Sequence, residues 1–259
     1  MTFDVAADAY DRFMGRYSRP LAPQLADLAR VQAGQRALDV GCGPGAPTSE
    51  LVGRLGADAV AAVDPSEPFV RAARQRHPGV EVELAAAEDL PFDEGSFDVA
   101  LAQLVVQFMS DPVTGLAEMR RVTRDGGIVA ACVWDHAGGN APLSPFWRAV
   151  AELDPGARDE SDLPGAREGQ LAALFEAAGL DEVEDDALWV RAEHASFEEW
   201  WEPFTFGVGP AGAYVAGLDP SAAAELRERC RLLLGDAPLK LTMRAWAARG
   251  RRPAQRRTR

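Results

Sequence analysis

Between residues 37 and 135, short unbroken apolar runs alternate with stretches whose apolar positions recur every three to four residues. The runs ALDVG (37–41), AVAAVD (59–64), VEVELAAA (80–87), VALAQLVVQF (99–108) and GGIVAACVWD (126–135) predict five strands, most of them buried on both faces. The intervening stretches read as helices. SRPLAPQLADLARV (18–31) spaces Leu21, Leu25 and Leu28 along one face, and PTSELVGRL (47–55) repeats that spacing. Ser66 caps a third helix that runs to about His77, where Pro78 stops it. Asp111-Pro112 opens a fourth, with Val113, Leu116, Met119 and Val122 on one face and Gly126-Gly127 at its end. Strands alternating with helices imply a parallel sheet with right-handed crossovers and helices on both faces.

Past residue 135 the rhythm changes. HAGGNAPLSP (136–145) reads as a loop, and 146–166 as irregular chain broken by Pro155, Gly156, Pro164 and Gly165. A helix is predicted over 168–180, a strand over 183–195, and a short aromatic helix over 196–206. GVGPAGAYVAG (207–217) reads as a small-residue loop, and Asp219-Pro220 starts another helix carrying Leu226, Cys230 and Leu233. LKLTMRAWAA (239–248) alternates with period two and predicts a last, antiparallel strand. The expected architecture is one α/β domain, a Rossmann-like doubly wound sheet of seven strands, mostly parallel with the last antiparallel. Its core covers about 31–135 with 167–195 and 239–249. The helical segment 1–30 and the insertions 136–166 and 196–236 form a substrate cap, and 250–259 is a flexible basic tail.

Composition narrows the function classes. The chain has 259 residues, 47% hydrophobic, with a formal net charge of −13. So acidic a surface repels nucleic acid, and the basic cluster RGRRPAQRRTR (249–259) reads as a solvated tail. No run of 18 uncharged apolar residues predicts a membrane span, and Cys42, Cys132 and Cys230 have neither metal nor disulfide spacing. A cytoplasmic protein with no metal site is expected, and the sequence specifies no oligomeric state.

The chemistry concentrates at GCGPG (41–45), which joins a buried strand to a helix N-terminus. Glycines there admit unusual φ values and let a ligand touch the backbone, although a tight turn with no ligand would use them too. Asp64 ends the next strand 23 residues after Gly41, where the topology sets it beside the glycine turn. It can accept hydrogen bonds from both hydroxyls of a ribose, or cap the following helix. GCGPGA also fits the dinucleotide fingerprint, so a pyridine nucleotide is an alternative cofactor. Asp39, inside the strand, argues against a pyrophosphate and for a cofactor bearing a positive amino group. The acids of AAAEDLPFDEGSFDVALA (85–102) lie where an adenine would sit.

Together these segments resemble the class I S-adenosylmethionine-dependent methyltransferases, of the type that includes the quinone-biosynthesis C-methyltransferases. ALDVGCGPG is similar to the first family motif, VAAVDPS to the second, and AEDLPFDEGSFDVALA to the third and fourth. The resemblance covers roughly 10–135. It implies that Gly41, Cys42 and Gly43 pass their backbone along the methionine and ribose. Asp39 would support the turn and the amino group, and Asp64 would hold the ribose hydroxyls. Pro65 and Ser66 would lie near the adenine, Ala87 and Glu88 at its edge, and Gln103 at the methionine end. Where the family carries an Asp that meets the adenine amino group, this chain has Ala86, with Glu88 or Asp89 as substitutes. The HRxWK pattern of the quinone enzymes is absent, so their substrate is not implied.

The resemblance implies direct in-line methyl transfer to a small, partly apolar acceptor. A general base is needed only if the acceptor must lose a proton. His136 and Gln107, after the fifth and fourth strands, are the candidates, with a plain surface-loop histidine as the alternative for His136. Tyr10, Phe13 and Tyr17 could close over the cofactor or simply pack. Trp200, Trp201 and Phe204 could line an acceptor pocket or form the core of the cap. A non-catalytic S-adenosylmethionine-binding protein stays open beside the enzyme.

Overall fold

The structure is a computed structural model that describes residues 7–235 and 238–254. Seven strands form one sheet: β1 (Ala37–Val40), β2 (Val60–Asp64), β3 (Glu81–Leu84), β4 (Phe97–Gln103), β5 (Thr123–Trp134), β6 (Asp181–His194) and β7 (Leu239–Arg251). Their order is β3-β2-β1-β4-β5-β7-β6. β7 runs antiparallel to both β5 and β6, and the other pairings are parallel. This is the mostly parallel, doubly wound sheet expected from the sequence.

Strand order reverses between β1 and β4, so the two connections leave the sheet on opposite faces. A crevice opens there at the carboxyl ends of the strands. The buried strand residues explain the unbroken apolar runs. Ala37, Val60, Val99, Leu101, Ala130 and Cys132 face one core. Leu38, Val40, Ala61, Val63, Ala100 and Val129 face the other. The first face is covered by α2 (Arg16–Leu28) through Leu21 and Leu25, and by α3 (Ala46–Leu55) through Leu51. The second is covered by α5 (Pro112–Val122) and α7 (Gln170–Ala177). α4 (Glu67–Arg76) covers the edge by β2 and β3 through Val70 and Ala73. Before α2 the chain forms one helical turn, α1 (Ala7–Tyr10), and a π-helical turn over Asp11–Gly15.

Several boundaries differ from the sequence pattern, each for a local reason. The stretch expected to be irregular contains α6 (Ser144–Leu153). Pro145 sits in its first turn, where a missing N–H costs nothing, and Phe146, Trp147, Ala149 and Val150 are buried. The small-residue loop is instead α9 (Gly209–Ala216). Its small residues serve packing, because a Cβ on Gly212 would lie 2.7 Å from the Gly207 carbonyl carbon. The fourth strand stops at Gln103 rather than Phe108, since Leu104 takes a left-handed φ of 62° and a short 3-10 turn follows. The aromatic helix is α8 (Phe197–Trp201), continued by a 3-10 turn, and α10 (Pro220–Leu234) follows Asp219 as expected. The start of the expected flexible tail is ordered. Gly250 and Arg251 belong to β7, and the buried Arg252 donates to the Arg121 and Thr123 carbonyls. The rest of that tail, 255–259, lies outside the described residues. Among the described residues no helix is long and apolar enough to cross a membrane.

Candidate functional site

The glycine turn lies at the crevice, after β1. Gly41 and Cys42 both donate their N–H to the Val63 carbonyl of β2, at 2.8 and 2.9 Å. A Cβ on Gly41 would lie 2.4 Å from Val105 Cγ2, so the turn can pass beneath that side chain only as glycine. Gly43 has a φ of 53°, and a Cβ there would meet nothing within 4 Å. The space beside its Cα is therefore open for a ligand to lie against the backbone, although Gly43 is buried.

Two acids flank the turn. Asp64, the last residue of β2, is 5% exposed. One of its oxygens accepts from the Gly43 N–H at 2.8 Å and the other from the Ser66 N–H at 2.8 Å. It is thus fixed against the glycine turn, and the N-cap of α4 is Ser66. Burial pushes the Asp64 carboxyl up to about 6, against the pull of its two N–H donors. Asp39 on β1 is fully buried. Its Oδ2 accepts from Thr48 Oγ1 in the first turn of α3 at 2.6 Å, while Oδ1 has no partner. Burial pushes Asp39 up to about 7; the Thr48 bond opposes the shift and the Asp64 charge adds to it. Two buried acids whose charges act on one another, one with an orphaned oxygen, hold their protons well above the ordinary range, and a positive ligand would favour their ionised form. Nothing in the sequence marks Thr48, which is one polar residue in an amphipathic helix. Cys42 is buried, and burial raises its thiol well above the ordinary range.

The other side chains expected near the cofactor lie around the same crevice. Pro65 is exposed and Ser66 half-buried at the start of α4. Ala87 is buried. Glu88 Oε1 accepts from the Ser110 and Asp111 N–H groups at 2.6 and 3.2 Å, which ties the loop after β3 to the start of α5. Gln103, at the end of β4, donates to the Ser18 carbonyl of α2 at 2.9 Å and leaves its buried Oε1 unpartnered. The next residue, Leu104, holds its left-handed conformation without being glycine, a strain that functional sites often carry.

Past Gln103 and Leu104 lies a crevice that is partly open to solvent. Tyr10 and Phe13 line it from the N-terminal segment, Gln107, Trp134 and His136 from the ends of β4 and β5, and Glu160 from the loop after α6. Tyr10 packs edge-on against Phe69 of α4 at 5.2 Å, and burial with the Asp64 and Asp11 charges raises its phenol. His136 lies in the turn after β5 with its side chain buried, its Nδ1 3.9 Å from Glu160 Oε2. Gln107 donates to the Leu104 carbonyl at 3.0 Å and leaves Oε1 unpartnered.

The remaining aromatic candidates lie elsewhere. Trp200, Trp201 and Phe204 pack in one buried cluster, with Phe204 stacked on Phe146 at 4.7 Å and 4.8 Å from Trp200. Tyr17 meets His194 Nε2 at 2.9 Å, and Arg16 reaches His194 Nδ1 at 3.2 Å. Tyr17, Trp200 and Phe204 line a second, smaller pocket that shares Phe13 and Leu143 with the first. Glu160 and His194 complete their clusters only in three dimensions.

Comparison with known proteins bears on this geometry. Residues 38–131, from β1 to β5, match a family model described as a methyltransferase domain. The chain is 31% identical over 236 residues to nocamycin O-methyltransferase of Saccharothrix syringae, covering 88% of this chain and 73% of that protein. It is 39% identical over 115 residues to a 37.1 kDa protein of transposon TN4556 of Streptomyces fradiae, and spans 33% of that relative's length. A solved structure assigned as a type II methyltransferase of Anaeromyxobacter dehalogenans superposes with a TM-score of 0.61 at 26% identity, covering 93% of this chain and 98% of that one.

Proposed function

This chain belongs to the class I S-adenosylmethionine-dependent methyltransferases, and we propose that it methylates a small, partly apolar molecule held in the cavity beneath its N-terminal segment. Family membership decides against a pyridine nucleotide. When bound, S-adenosylmethionine supplies a methyl group already activated by its sulfonium charge. The chain's own residues must then bind, align and exclude water.

The residues present fit that cofactor. The buried acid at Asp39, with one unpartnered oxygen, suits a positively charged ligand, which a dinucleotide pyrophosphate is not. The free flank of Gly43 lets the ligand lie on the backbone. Asp64 keeps lone pairs for the ribose hydroxyls beyond the two N–H groups it already accepts. Gly41 and Cys42 shape the turn, and Gln103 Oε1 is an acceptor for the methionine end. Pro65, Ser66 and Ala87 form the adenine wall. Glu88 supports that wall indirectly, through the loop at Ser110.

The single observation that carries this reading is the pairing of Asp64 with the open Gly43 turn at the switch point, beside a buried acid with one unpartnered oxygen. Residues 7–30, 136–166 and 196–235 serve as the acceptor's cap, with the Trp200, Trp201 and Phe204 cluster as its core. A net charge of −13 supports a small acceptor over nucleic acid. The three cysteines are free and buried, which suits a reducing compartment, and we assign the chain to the cytoplasm on that ground. Incubation with methyl-labelled S-adenosylmethionine and a fractionated cell extract tests the acceptor class. Label in the low-molecular-weight fraction is expected, and label confined to RNA, DNA or protein would overturn it.

A further inference from the structure

The larger cavity is apolar except for the Tyr10 phenol and four polar side chains, Gln107, Trp134, His136 and Glu160. Among its described lining residues none is Arg or Lys. The His136 and Glu160 side chains are 5% and 6% exposed and stand 3.9 Å apart, too far for a hydrogen bond. Glu160 is held instead by Trp147 Nε1 of α6, at 2.8 Å. Gln107 Oε1 and Trp134 Nε1 are buried with no partner. A structural core gains nothing from a buried acid and base left just short of contact beside two orphaned polar atoms.

We infer that His136 takes the proton from a weakly acidic hydroxyl of a neutral, largely apolar acceptor, a phenol or an enol, and that Glu160 positions and stabilises the charged ring. The inference rests on the methyltransferase reading of the adjoining site. The step balances. The acceptor's O–H bond breaks and its proton passes to the His136 ring; the oxygen bonds the methyl carbon; the sulfonium sulfur keeps the pair of the bond it loses. The proton then leaves to solvent.

The surroundings suit this role. Burial holds His136 down to about 4, so the ring is neutral before the acceptor arrives, and the charge it gains with the proton depends on Glu160 beside it. The Asp159 and Asp135 charges act the other way, but Asp135 is matched by Arg244 at 2.7 Å. Burial pushes Glu160 up to about 7, with the Asp159 charge adding to the shift. A proton on the ring turns the two groups into an ion pair, and the pair titrates as a unit. The same walls select the acceptor. A carboxylate or phosphate would face Glu160 with no counter-charge in the lining. An ammonium group offers donors alone and leaves the Trp134 N–H without an acceptor, whereas a hydroxyl offers both.

The test uses 2-naphthol and 2-naphthoate as probes. On protein saturated with S-adenosylhomocysteine at pH 8, 2-naphthol is expected to bind at least about tenfold more tightly than 2-naphthoate, about 1.4 kcal/mol. With methyl-labelled S-adenosylmethionine, label is expected on the 2-naphthol oxygen. His136→Asn is expected to lower kcat about 100-fold with KM little changed. Glu160→Gln, which keeps the acceptor for Trp147, is expected to lower kcat about tenfold and to displace the pH profile, which a packing role would not do. Melting temperature and S-adenosylhomocysteine affinity, measured on both variants, show whether they are folded. Equal binding of the naphthoate, no label on 2-naphthol, or wild-type kcat and pH profile in folded variants would each overturn the inference. If the wild type fails to bind S-adenosylhomocysteine, the methyltransferase reading fails. If it binds and the naphthol arms fail, the base assignment alone is lost.

Discussion

Asp39 makes the cofactor-free protein's stability depend on pH in a direction opposite to most carboxylates. Its carboxyl stands at about 7 in the folded chain against 3.8 when solvated, because it is buried with one oxygen unpartnered. A raised acid stabilises the fold fully below the solvated value, and that contribution is lost as pH rises through the folded value. Between pH 5 and pH 8 the loss is about 2–3 kcal/mol, at about 1.4 kcal/mol for each pH unit crossed below the folded value. Other buried groups titrate in the same window. Glu160 and Asp64 act in the same sense, and His136 and His194, both lowered to about 4, act against them. The difference between wild type and Asp39→Asn isolates the contribution of Asp39. Urea unfolding of the cofactor-free proteins at pH 5 and pH 8 is the assay. The variant's stability relative to wild type is expected to rise by about 2–3 kcal/mol across that range. The variant is also expected to lose affinity for S-adenosylhomocysteine, because the counter-charge proposed for its amino group is gone. Parallel pH dependences for the two proteins would refute the reasoning.

Two further perturbations separate the parts of the site. Gly43→Ala meets no atom within 4 Å but must hold a φ of 53°, so a cost of about 1–2 kcal/mol in thermal unfolding is expected. The added methyl occupies the ligand's flank, so calorimetry is expected to show S-adenosylhomocysteine binding weakened about tenfold or more, about 1.4 kcal/mol. Phe204→Ala removes a buried ring stacked on Phe146, and chemical unfolding is expected to show a loss of about 3–5 kcal/mol. Cofactor affinity should survive in the folded fraction, because Phe204 does not touch the glycine turn. Weakening parallel to the stability loss would place the cap's core inside the cofactor site.

What is readable in the sequence follows from which interactions are local. Four of the five parallel strands are buried on both faces and so stand out as apolar runs, while the edge strand β3 alternates, and GCGPG needs glycine for backbone reasons visible in one dimension. α6 and α9 read as irregular chain and loop because proline and glycine usually break helices. In both helices the proline sits in the first turn, and in α9 the small residues permit close packing. Glu160 lies 24 positions from His136 in a stretch with no period, and only the fold of α6 carries it to the cavity. Tyr17 and His194 are likewise joined by the packing of α2 on β6. Trp200, Trp201 and Phe204 have the same composition whether they line a pocket or form a core, so only the structure shows their burial.

The proposed grip of Asp64, fixed against the Gly43 turn, on the cofactor's ribose is tested most directly by calorimetric titration with S-adenosylhomocysteine of the wild type and of Asp64→Asn. Asn keeps the side chain's volume and one acceptor oxygen, so the turn is expected to stay folded, with the melting temperature as the check. Micromolar binding to the wild type is expected, with a loss of about tenfold or more in the variant, about 1.4 kcal/mol or greater. Equal affinity in the two proteins would contradict the ribose contact.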